Sequence, residues 1–285
     1  MKVLVTGGVG FVGTNLIKRL LKDNHKVVSL DNYSTGFKKN EQEGCQYFNV
    51  DLSETTDYSF FMDNPDVIFH LAALARIQPS LKIPAKTIYN NFVSTLNVLE
   101  YARNSKTKVI YSGSSTFHHG LYGSPYAWSK YGGEQLCELY SKVYSISTAI
   151  ARFYNVYGPH QLEDGEYATV IGIFEKQFRN NESFTIVGDG EQRRDFTHID
   201  DIVDALILMS EKEFKGEKFE LGRGKNYSIN EVADMFGDNP YHSRIYLPQR
   251  SGEYPFTLAD NTFVKNTLGW YPKKKLINHI KSILD

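Results

Sequence analysis

The sequence is poor in the features that mark secreted, membrane-bound and nucleic-acid-binding proteins. Two of its 285 residues are cysteines, and Cys45 and Cys137 match no disulfide or metal-ligand pattern, which favours a reducing compartment and no metal ion. No apolar run approaches the ~20 residues that cross a bilayer. A strand pattern, KVLVT, begins at residue 2, so we expect no signal peptide. The net charge of −1 shows no basic surplus, so we expect no binding to nucleic acid. Taken together, these absences lead us to expect a cytoplasmic protein that binds no membrane.

What the first half of the chain does contain is a regular alternation of apolar strands and helices. Strands are predicted over residues 2–6, 26–30, 45–50, 66–72, 108–114 and 147–153. Helices are predicted over residues 11–22, 86–103 and 126–143. Buried strands separated by helices are typical of a sheet that is covered on both faces. We therefore predict an α/β fold with a doubly wound parallel sheet of the Rossmann type.

The pattern changes after NVYGPHQ, at residues 155–161, where the elements become shorter. Helices are predicted over residues 169–179, 200–211 and 229–236, and strands over 184–188, 218–221 and 243–247. We predict two domains from this change. The first covers residues 1–155, with 195–215 returning to it. The second covers residues 156–285 and is a smaller α/β domain.

A glycine-rich turn, VTGGVGFVG, connects the first predicted strand to the first helix. Gly7, Gly10 and Gly13 allow a tight turn, a close approach of backbone N–H groups to a phosphate, and close packing of helix on strand. Asp31 ends the second strand, where a carboxylate can accept hydrogen bonds from a ribose and repel a 2′-phosphate. The alternative is a plain turn and an unrelated loop aspartate. The position between a strand and a helix favours a dinucleotide site, with NAD preferred over NADP.

Tyr126 and Lys130, in SPYAWSK, lie one helical turn apart. A lysine on the same helix face stabilises a tyrosinate and so lowers the pKa of the phenol from its usual value near ~10. With 19 tyrosines in the chain, this spacing is expected about once by chance, and a second match exists at Tyr271 and Lys275. We interpret the second pair as the start of a terminal segment, because Pro272 lies within it. For the first pair, the alternative is a solvated helix face.

Eight segments in order along the whole chain carry a resemblance to a known family. They are TGGVGFVG (6–13), DNYSTG (31–36), VDL (50–52), HLAA (70–73), YAWSK (126–130), RFYNVYGP (152–159), VGDGEQRRDFTHIDD (187–201) and RSGEYPFTLAD (250–260). The chain resembles the extended short-chain dehydrogenase/reductases, and within them the NAD-dependent nucleotide-sugar epimerases and dehydratases of the UDP-glucose 4-epimerase type. The resemblance implies a Rossmann domain for NAD and a C-terminal domain for a nucleoside-diphosphate sugar.

The resemblance also assigns the cofactor contacts position by position, from the pyrophosphate through the adenosine to the nicotinamide. The implied contacts are Gly7, Gly10, Phe11, Val12 and Gly13; Asp31, Asn32, Ser34, Thr35 and Gly36; Asp51 and Leu52; and Leu71, Ala72, Ala73, Asn91, Ser112, Tyr126, Lys130 and Phe153. For Leu71 and the two alanines, packing without a ligand is the alternative.

The resemblance places a catalytic set at Tyr126, Lys130 and a serine. The tyrosinate would remove the proton from a sugar hydroxyl as hydride leaves the same carbon for NAD. Lys130 would bind the nicotinamide ribose and, through its charge, lower the pKa of Tyr126. The serine that hydrogen-bonds the reacting oxygen is Ser114 by the register of the fifth strand, which we favour, or Ser115 counted back from Gly120.

Substrate contacts follow from the same resemblance. They are Ser114 and Ser115 at the sugar, Asn155, Arg194 and Arg250 at the diphosphate, and Glu253 at the nucleotide ribose. Dehydratases of the family carry an Asp-Glu pair beside the catalytic hydroxyl, whereas SSTFHHG, at residues 114–120, has no carboxylate, which disfavours dehydration. His118 and His119 are interpreted as solvated loop residues.

The sequence therefore predicts an isomerase that epimerises a nucleoside-diphosphate sugar, with UDP as the favoured nucleotide, at C4 through a transient 4-keto intermediate. The alternatives are a decarboxylase, dehydratase or reductase of the same family. A catalytically silent NAD-binding regulator is a further alternative, which the intact catalytic set disfavours. The resemblance also implies a homodimer paired through the predicted helices 86–103 and 126–143.

Overall fold

The computed structural model describes residues 1–237, 243–252 and 254–284, apart from the side chain of His119. The chain forms two compact units. The first unit consists of Met1–Arg152 and Val203–Phe219, and the second of Phe153–Ile202 and Glu220–Asp285. Within the described ranges, the helices are too short or too polar to cross a membrane.

The described residues form regular elements along most of the chain. The strands are β1 (Lys2–Thr6), β2 (Lys26–Asp31), β3 (Gln46–Asn49), β4 (Val67–His70), β5 (Lys108–Ser114), β6 (Thr148–Phe153), β7 (Val156–Tyr157), β8 (Phe184–Val187), β9 (Arg193–Asp195), β10 (Thr197–His198), β11 (Lys215–Leu221), β12 (Asn226–Ser228) and β13 (Arg244–Leu247). The α-helices are α1 (Phe11–Lys22), α2 (Ile77–Lys82), α3 (Pro84–Ser105), α4 (Pro125–Tyr144), α5 (Val170–Arg179), α6 (Ile199–Ser210), α7 (Ile229–Asp234), α8 (Thr262–Leu268) and α9 (Leu276–Leu284).

A seven-stranded sheet in the order β11-β6-β5-β4-β1-β2-β3 is the largest feature of the fold. β1 pairs in parallel with β2 and β4, β2 pairs in parallel with β3, and β4 with β5. The predicted doubly wound α/β fold is confirmed. The chain runs from β1 to β3 on one side and returns to place β4 on the other side of β1. The strand order therefore reverses between β1 and β4, where such sheets leave a crevice for a ligand.

The central strands carry residues that suit burial on both faces. Val3, Leu4 and Val5 of β1 and Ile68 and Phe69 of β4 are fully buried. Successive side chains of a strand point to opposite faces, so an unbroken apolar run fits a sheet with helices on both sides. These residues hold the carboxyl ends of β1 and β4 at fixed positions next to each other.

Two adjacent glycines let α4 pack closely on its neighbours. A Cβ at Gly133 would lie 2.2 Å from the hydroxyl oxygen of Tyr111 on β5, and one at Gly132 would lie 3.1 Å from the ring of Phe92 on α3. A side chain at either position would push the helix outward. The first turns of α4 are therefore held close to β5.

The second unit is built on short two-stranded sheets. β8 pairs in parallel with β13, β9 pairs with β12 in antiparallel fashion, and β7 pairs with β10. The rings of Phe174, Phe184 and Phe236 pack together in its core. The strand predicted over 218–221 is longer than expected and forms the end of β11. It joins the edge of the seven-stranded sheet next to β6, where Phe219 and Leu221 are buried.

Candidate active site

The turn between β1 and α1 has a backbone that requires glycine. Gly7 has a φ of +74°, and a Cβ there would lie 2.8 Å from the backbone nitrogen of Ala72. A Cβ at Gly13 would lie 2.2 Å from the carbonyl oxygen of Gly7. Gly10 precedes the first residue of α1. The turn therefore brings β1, α1 and the segment after β4 together without intervening side chains, beside the partial positive charge of the α1 N-terminus.

Asp31 ends β2 and is connected to the glycine turn. Its Oδ2 accepts a hydrogen bond from the N–H of Val9 at 3.0 Å, and its Oδ1 accepts one from the N–H of Tyr33 at 2.8 Å. The pKa of Asp31 is raised, because burial outweighs the two hydrogen bonds, which lower it. A carboxylate offers about four acceptor positions, so this one can accept further hydroxyl groups. Its position is compatible with the predicted ribose contact.

A cleft that encloses about 550 Å³ of space, part of it open to solvent, lies at this edge of the sheet. Many predicted cofactor contacts line it: Gly7, Gly10, Asp31, Asn32, Ser34, Thr35, Gly36, Asp51, Leu52, Leu71, Ala72 and Ala73. Val50, Asn90 and Ser94 also line the cleft and were missed by the sequence analysis. Asn90 and Ser94 are four residues apart on α3 and so share one face, which was the available signal.

Hydrogen bonds from its neighbours favour the ionised form of Asp51 at the cleft. Its Oδ1 accepts hydrogen bonds from the hydroxyl of Ser53 at 2.7 Å and from the N–H of Ser53 at 2.9 Å. Asn32 donates to its Oδ2 at 3.3 Å. These hydrogen bonds, led by that of the Ser53 hydroxyl, lower the pKa of Asp51 below its usual value.

Asn91, a predicted cofactor contact, uses its amide group in internal hydrogen bonds. Its Oδ1 accepts from the N–H of Leu74 at 2.7 Å, and its Nδ2 donates to the carbonyl of Leu74 at 3.1 Å and to the hydroxyl of Ser129 at 3.0 Å. The side chain is buried, and both of its N–H groups are used. Asn91 therefore joins the segment after β4 to α4, and its neighbour Asn90 lines the cleft in its place.

His70, at the end of β4, fixes the start of the HLAA segment. The hydroxyl of Thr6 accepts from the N–H groups of Leu71 and Ala72, both at 3.2 Å, so it donates its own hydrogen to Nδ1 of His70 at 2.8 Å. Nε2 then carries the ring hydrogen and donates to the hydroxyl of Thr95 at 3.1 Å. Burial lowers the pKa of His70 to about 3, so the ring is neutral at pH 7.

Lys130 is buried next to the carboxyl end of β5. Its ammonium donates to the hydroxyl of Ser112 at 3.2 Å and lies 4.3 Å from the centre of the Tyr111 ring. Burial lowers the pKa of Lys130 to about 8, against the negative charge of Glu134, which raises it. The charge of Lys130 is therefore sensitive to its surroundings in the physiological pH range.

Tyr126 lies one turn before Lys130 on α4. The pKa of Tyr126 is raised above its usual value, because burial outweighs the hydrogen bond with Ser114 and the positive charge of Arg76, which both lower it. Ser114, the last residue of β5, also accepts hydrogen bonds from the N–H and the hydroxyl of Thr116, at 3.3 and 3.0 Å. Of the two candidate serines, Ser114 is thus brought into contact with Tyr126. Ser115 begins the 3₁₀ turn Ser115–His119 that follows.

A second cation acts on Tyr126. The predicted effect of Lys130 on the pKa of Tyr126 stays a prediction. In the structure the Lys130 ammonium is directed at Ser112 and Tyr111, and the positive charge of Arg76 lowers the pKa of Tyr126. Arg76 immediately precedes α2 and has φ +86° and ψ 142°, a conformation that residues other than glycine rarely adopt. Strain of this kind is concentrated at functional sites. The sequence analysis missed Arg76 because it belongs to none of the recognised motifs.

Other predicted residues of the first unit lie at the edges of this arrangement. Phe11 and Val12 are the half-buried first residues of α1. Ser112 is buried as the partner of Lys130. His118 is exposed, and its ring lies edge-on against that of Phe117 at 5.1 Å. Their predicted roles remain predictions.

In the second unit, Asn155 uses its amide nitrogen internally. Nδ2 donates to the carbonyl of Asp195 and to the hydroxyl of Thr257, both at 3.1 Å. An amide nitrogen has two N–H groups, so the predicted contact of Asn155 with a diphosphate would require one of these hydrogen bonds to break. In this structure Asn155 connects β9 to the segment around Thr257.

The remaining predicted residues of this unit are placed differently from one another. Arg194, on β9, donates to the carbonyl of Tyr254 at 2.7 Å, and Arg250 is exposed. Phe153 is half-buried at the end of β6, and Glu253 lies outside the described residues. The second tyrosine–lysine pair, Tyr271 and Lys275, lies in the irregular stretch between α8 and α9, with Tyr271 exposed.

Comparison with known proteins identifies the family that this chain matches. Residues 3–222 match the model of the NAD dependent epimerase/dehydratase family. The chain is 31% identical over 300 residues to the UDP-N-acetyl-alpha-D-glucosaminuronate decarboxylase of Bacillus cytotoxicus, covering 95% of this chain and 92% of that protein. It is 31% identical over 311 residues to the UDP-glucose 4-epimerase of Mycolicibacterium smegmatis, covering 100% and 98%.

A solved structure extends the similarity to the fold. The crystal structure of UDP-glucose 4-epimerase with UDP-glucose from Thermotoga maritima matches with a TM-score of 0.91 and 30% identity, covering 100% of this chain and 97% of that one. The family match includes the glycine turn, Asp31, Tyr126 and Lys130, which the structure places around the cleft and the end of β5. The chain therefore belongs to the NAD dependent epimerase/dehydratase family, as an enzyme whose cofactor is NAD.

Proposed function

We propose that this enzyme inverts C4 of a nucleoside-diphosphate sugar, in the first instance a UDP-sugar, through a transient 4-keto intermediate. The hydrogen bond between Tyr126 and Ser114, one turn from the buried Lys130, carries the proposal, because it pairs an acid–base group with a hydroxyl that can hold the reacting oxygen. Similarity to two UDP-glucose 4-epimerases supports the choice of substrate class.

The residues that line the cleft fit NAD in their chemistry. Asp31 offers a carboxylate for the adenosine ribose, and the glycine turn leaves backbone without side chains where a pyrophosphate would lie. Lys130 and Ser112 offer an ammonium and a hydroxyl for the nicotinamide ribose. NAD supplies a hydride acceptor that becomes a hydride donor once reduced.

The side chains of the protein manage the proton. Tyr126, as the phenolate, accepts the proton of the C4 hydroxyl while the C4 hydrogen leaves with its electron pair as hydride. Ser114 hydrogen-bonds the oxygen that becomes the 4-keto oxygen. After the sugar has presented its other face, hydride returns to C4 and Tyr126 returns the proton to the oxygen. Oxidation and reduction cancel, so one turnover consumes no NAD.

Decarboxylation of a nucleotide-linked uronate is the second candidate, favoured by the similarity to the decarboxylase of Bacillus cytotoxicus. The first step would be the same, because a 4-keto uronate is a β-keto acid that loses carbon dioxide readily. Dehydration is disfavoured, because the turn at residues 114–120 has no carboxylate to assist loss of water. A silent regulator is disfavoured by the contact between Tyr126 and Ser114.

The proposal includes substrate and assembly features predicted from the sequence. Arg194 and Arg250 would bind the diphosphate, and Glu253 the nucleotide ribose. A homodimer is supported by exposed apolar residues on the two long helices, Tyr89 of α3 and Leu139 and Val143 of α4, which are 50–59% exposed. A cytoplasmic location stays a prediction from the sequence. The measurement of oligomeric state in solution tests the dimer separately.

The substrate is tested with a panel of UDP-linked hexoses, N-acetylhexosamines and uronates, monitored by NMR. We expect inversion at C4 of at least one of them without net formation of NADH. Loss of carbon dioxide from a uronate would favour the decarboxylase. Stoichiometric consumption of cofactor would show a reductase, and no reaction with any member of the panel would contradict the proposal.

A further inference from the structure

A buried ion pair lies behind the catalytic end of β5. Arg152, on β6, donates to the carboxylate of Glu134, on α4, through Nε at 3.1 and 3.2 Å and through Nη2 at 2.6 Å. The two side chains are 4% and 1% exposed. Burying both charges is costly, and such a pair is weak support for stability, so its position deserves a functional explanation.

The pair lies against the strand segment that carries the site hydroxyls. A Cβ at Gly113 would lie 2.7 Å from Oε1 of Glu134 and 3.0 Å from Cγ of Arg152. Gly113 stands between Ser112, which accepts from Lys130, and Ser114. The carboxylate therefore supports the backbone between the two hydroxyls.

Arg152 also holds the turn that follows Ser114. Its guanidinium carbon lies 3.7 Å from the centre of the Phe117 ring, and Phe117 belongs to the 3₁₀ turn Ser115–His119. A planar guanidinium stacks on an aromatic face in a way that an ammonium does not. One arginine thus connects Glu134 to this turn.

Glu134 provides the negative charge that the buried Lys130 needs. Glu134 follows Lys130 by one turn on the same face of α4, and both side chains are buried. The titratable groups that act on Lys130 are Tyr111 on β5, His70 on β4, and Glu134 and Cys137 on α4. Burial raises the pKa of the Tyr111 phenol and of the Cys137 thiol, and lowers that of His70, so these three are neutral at pH 7. Among the described groups that face Lys130, Glu134 is the anion.

We propose that Glu134 is a positioning residue of the catalytic set, whose negative charge, fixed by Arg152, keeps Lys130 protonated. Arg152 has the second task of holding the turn that bears Phe117. The inference rests on the role of Lys130 in the proposed function, where the ammonium binds the nicotinamide ribose. It predicts that, without Glu134, Lys130 loses its proton at a pH at which Lys130 of the intact enzyme is still protonated.

The test measures the protonation of Lys130 directly, with the purified protein saturated with NAD and without substrate. Lysines are labelled with carbon-13 at the ε carbon, and the Lys130 signal is identified by its loss in Lys130→Met. The protein with Glu134 present gives the reference titration of Lys130, whose pKa burial lowers from its usual value. In Glu134→Gln we expect it to titrate about one pH unit lower, because an opposite charge at this range contributes roughly that much.

Two variants separate the charge from the packing. Glu138→Gln removes an equal charge one turn further along α4, where Glu138 pairs with Lys218, and we expect no change at Lys130. Arg152→Lys keeps the positive charge but loses the planar fork. We expect it to leave the Lys130 titration in place and to accelerate amide hydrogen exchange at residues 115–118.

If Glu134→Gln does not fold, the double variant Glu134→Gln with Arg152→Gln removes both buried charges and carries the same expectation for Lys130. An unchanged Lys130 titration in a folded variant without Glu134 overturns the proposal. An equal downward shift in Glu138→Gln overturns it as well. The titration uses no sugar, so a protein that behaves as expected here but inverts no substrate loses the proposed function and keeps this inference.

Discussion

The two ends of the site in the first unit work by different means. At the glycine end (residues 7–13 with Asp31), the backbone itself is the working part, and side chains would obstruct it. At the tyrosine end (residues 112–134 with Arg76 and Arg152), buried charges from separate elements act on one another. The comparison teaches that the glycine end is sensitive to added atoms, whereas the tyrosine end is sensitive to removed charges and hydroxyls.

The largest effect is expected from a single hydroxyl at the tyrosine end. Tyr126→Phe should keep the fold and the affinity for NAD, because the ring remains, but lower kcat for C4 inversion by roughly 10²–10⁴, the usual contribution of a positioned acid–base group. Tyr122→Phe is the matched control, since Tyr122 precedes α4 and is 92% exposed. Near-full activity of Tyr126→Phe would sink the proposed mechanism.

The glycine end should respond to one added methyl group. Gly7→Ala places a Cβ at positive φ, 2.8 Å from the backbone of Ala72, and we expect NAD affinity to fall about a hundredfold. Gly165→Ala is the control, because Gly165 has a similar φ of +79° with nothing within 4 Å of the added Cβ. Calorimetry of both variants separates crowding from backbone strain. Equal affinities would show that crowding at this end is unimportant.

A charge is also expected to matter at the glycine end, at Asp31. We expect NAD to bind at least about tenfold more tightly than NADP, since a ribose contact of this kind contributes about 1–3 kcal/mol and a 2′-phosphate would meet the carboxylate. The two affinities are measured by calorimetry on the same preparation. Equal affinities for NAD and NADP would show that Asp31 does not contact the ribose.

The smallest effect is a shift of pH dependence at the tyrosine end. Arg76 lowers the pKa of Tyr126, so its loss raises that pKa, and a rate that needs the phenolate then begins to rise at a higher pH. We expect the acid side of the kcat profile to move upward by about one pH unit in Arg76→Gln. Arg103→Gln, which removes a half-buried arginine that pairs with Glu100, should leave the acid side of the profile in place.

The same profile distinguishes the two candidate cations. Lys130→Met should weaken NAD binding while moving the acid side less than Arg76→Gln does, because the Lys130 ammonium points to Ser112 and Tyr111. If Lys130→Met instead causes the larger shift, the assignment made from the tyrosine–lysine spacing was the better one.

The fold and the glycine end could be predicted because their signals are local. Strand and helix periods, the glycines after β1 and the acid after β2 all occur within stretches that are continuous in sequence. The cleft accordingly contains Gly7, Asp31 and Ala72 as predicted. The cleft is lined by Asn90 and not by its neighbour Asn91, because packing decides which of two adjacent residues on α3 faces it.

The tyrosine end could be predicted only in its motif residues. Arg76 precedes α2, a six-residue helix that contains Pro79. Such a short helix shows no hydrophobic period that could be recognised in the sequence. Its effect on Tyr126 depends on two elements that are far apart in sequence and pack together only in the fold. The pairing of Glu134 with Arg152 has the same origin, since it joins a helix to a strand. Electrostatic effects of this kind leave no local pattern.

The contact between Gly133 and Tyr111 has a consequence for how this sequence can change over time. The hydroxyl of Tyr111 occupies the volume where a side chain at 133 would begin, and the same ring supports the Lys130 ammonium. A larger residue at 133 becomes tolerable only if position 111 becomes smaller at the same time, and that second change removes the support of Lys130. The two positions are therefore expected to covary among relatives, with intermediates that carry one change alone rare, while the surface around them drifts freely.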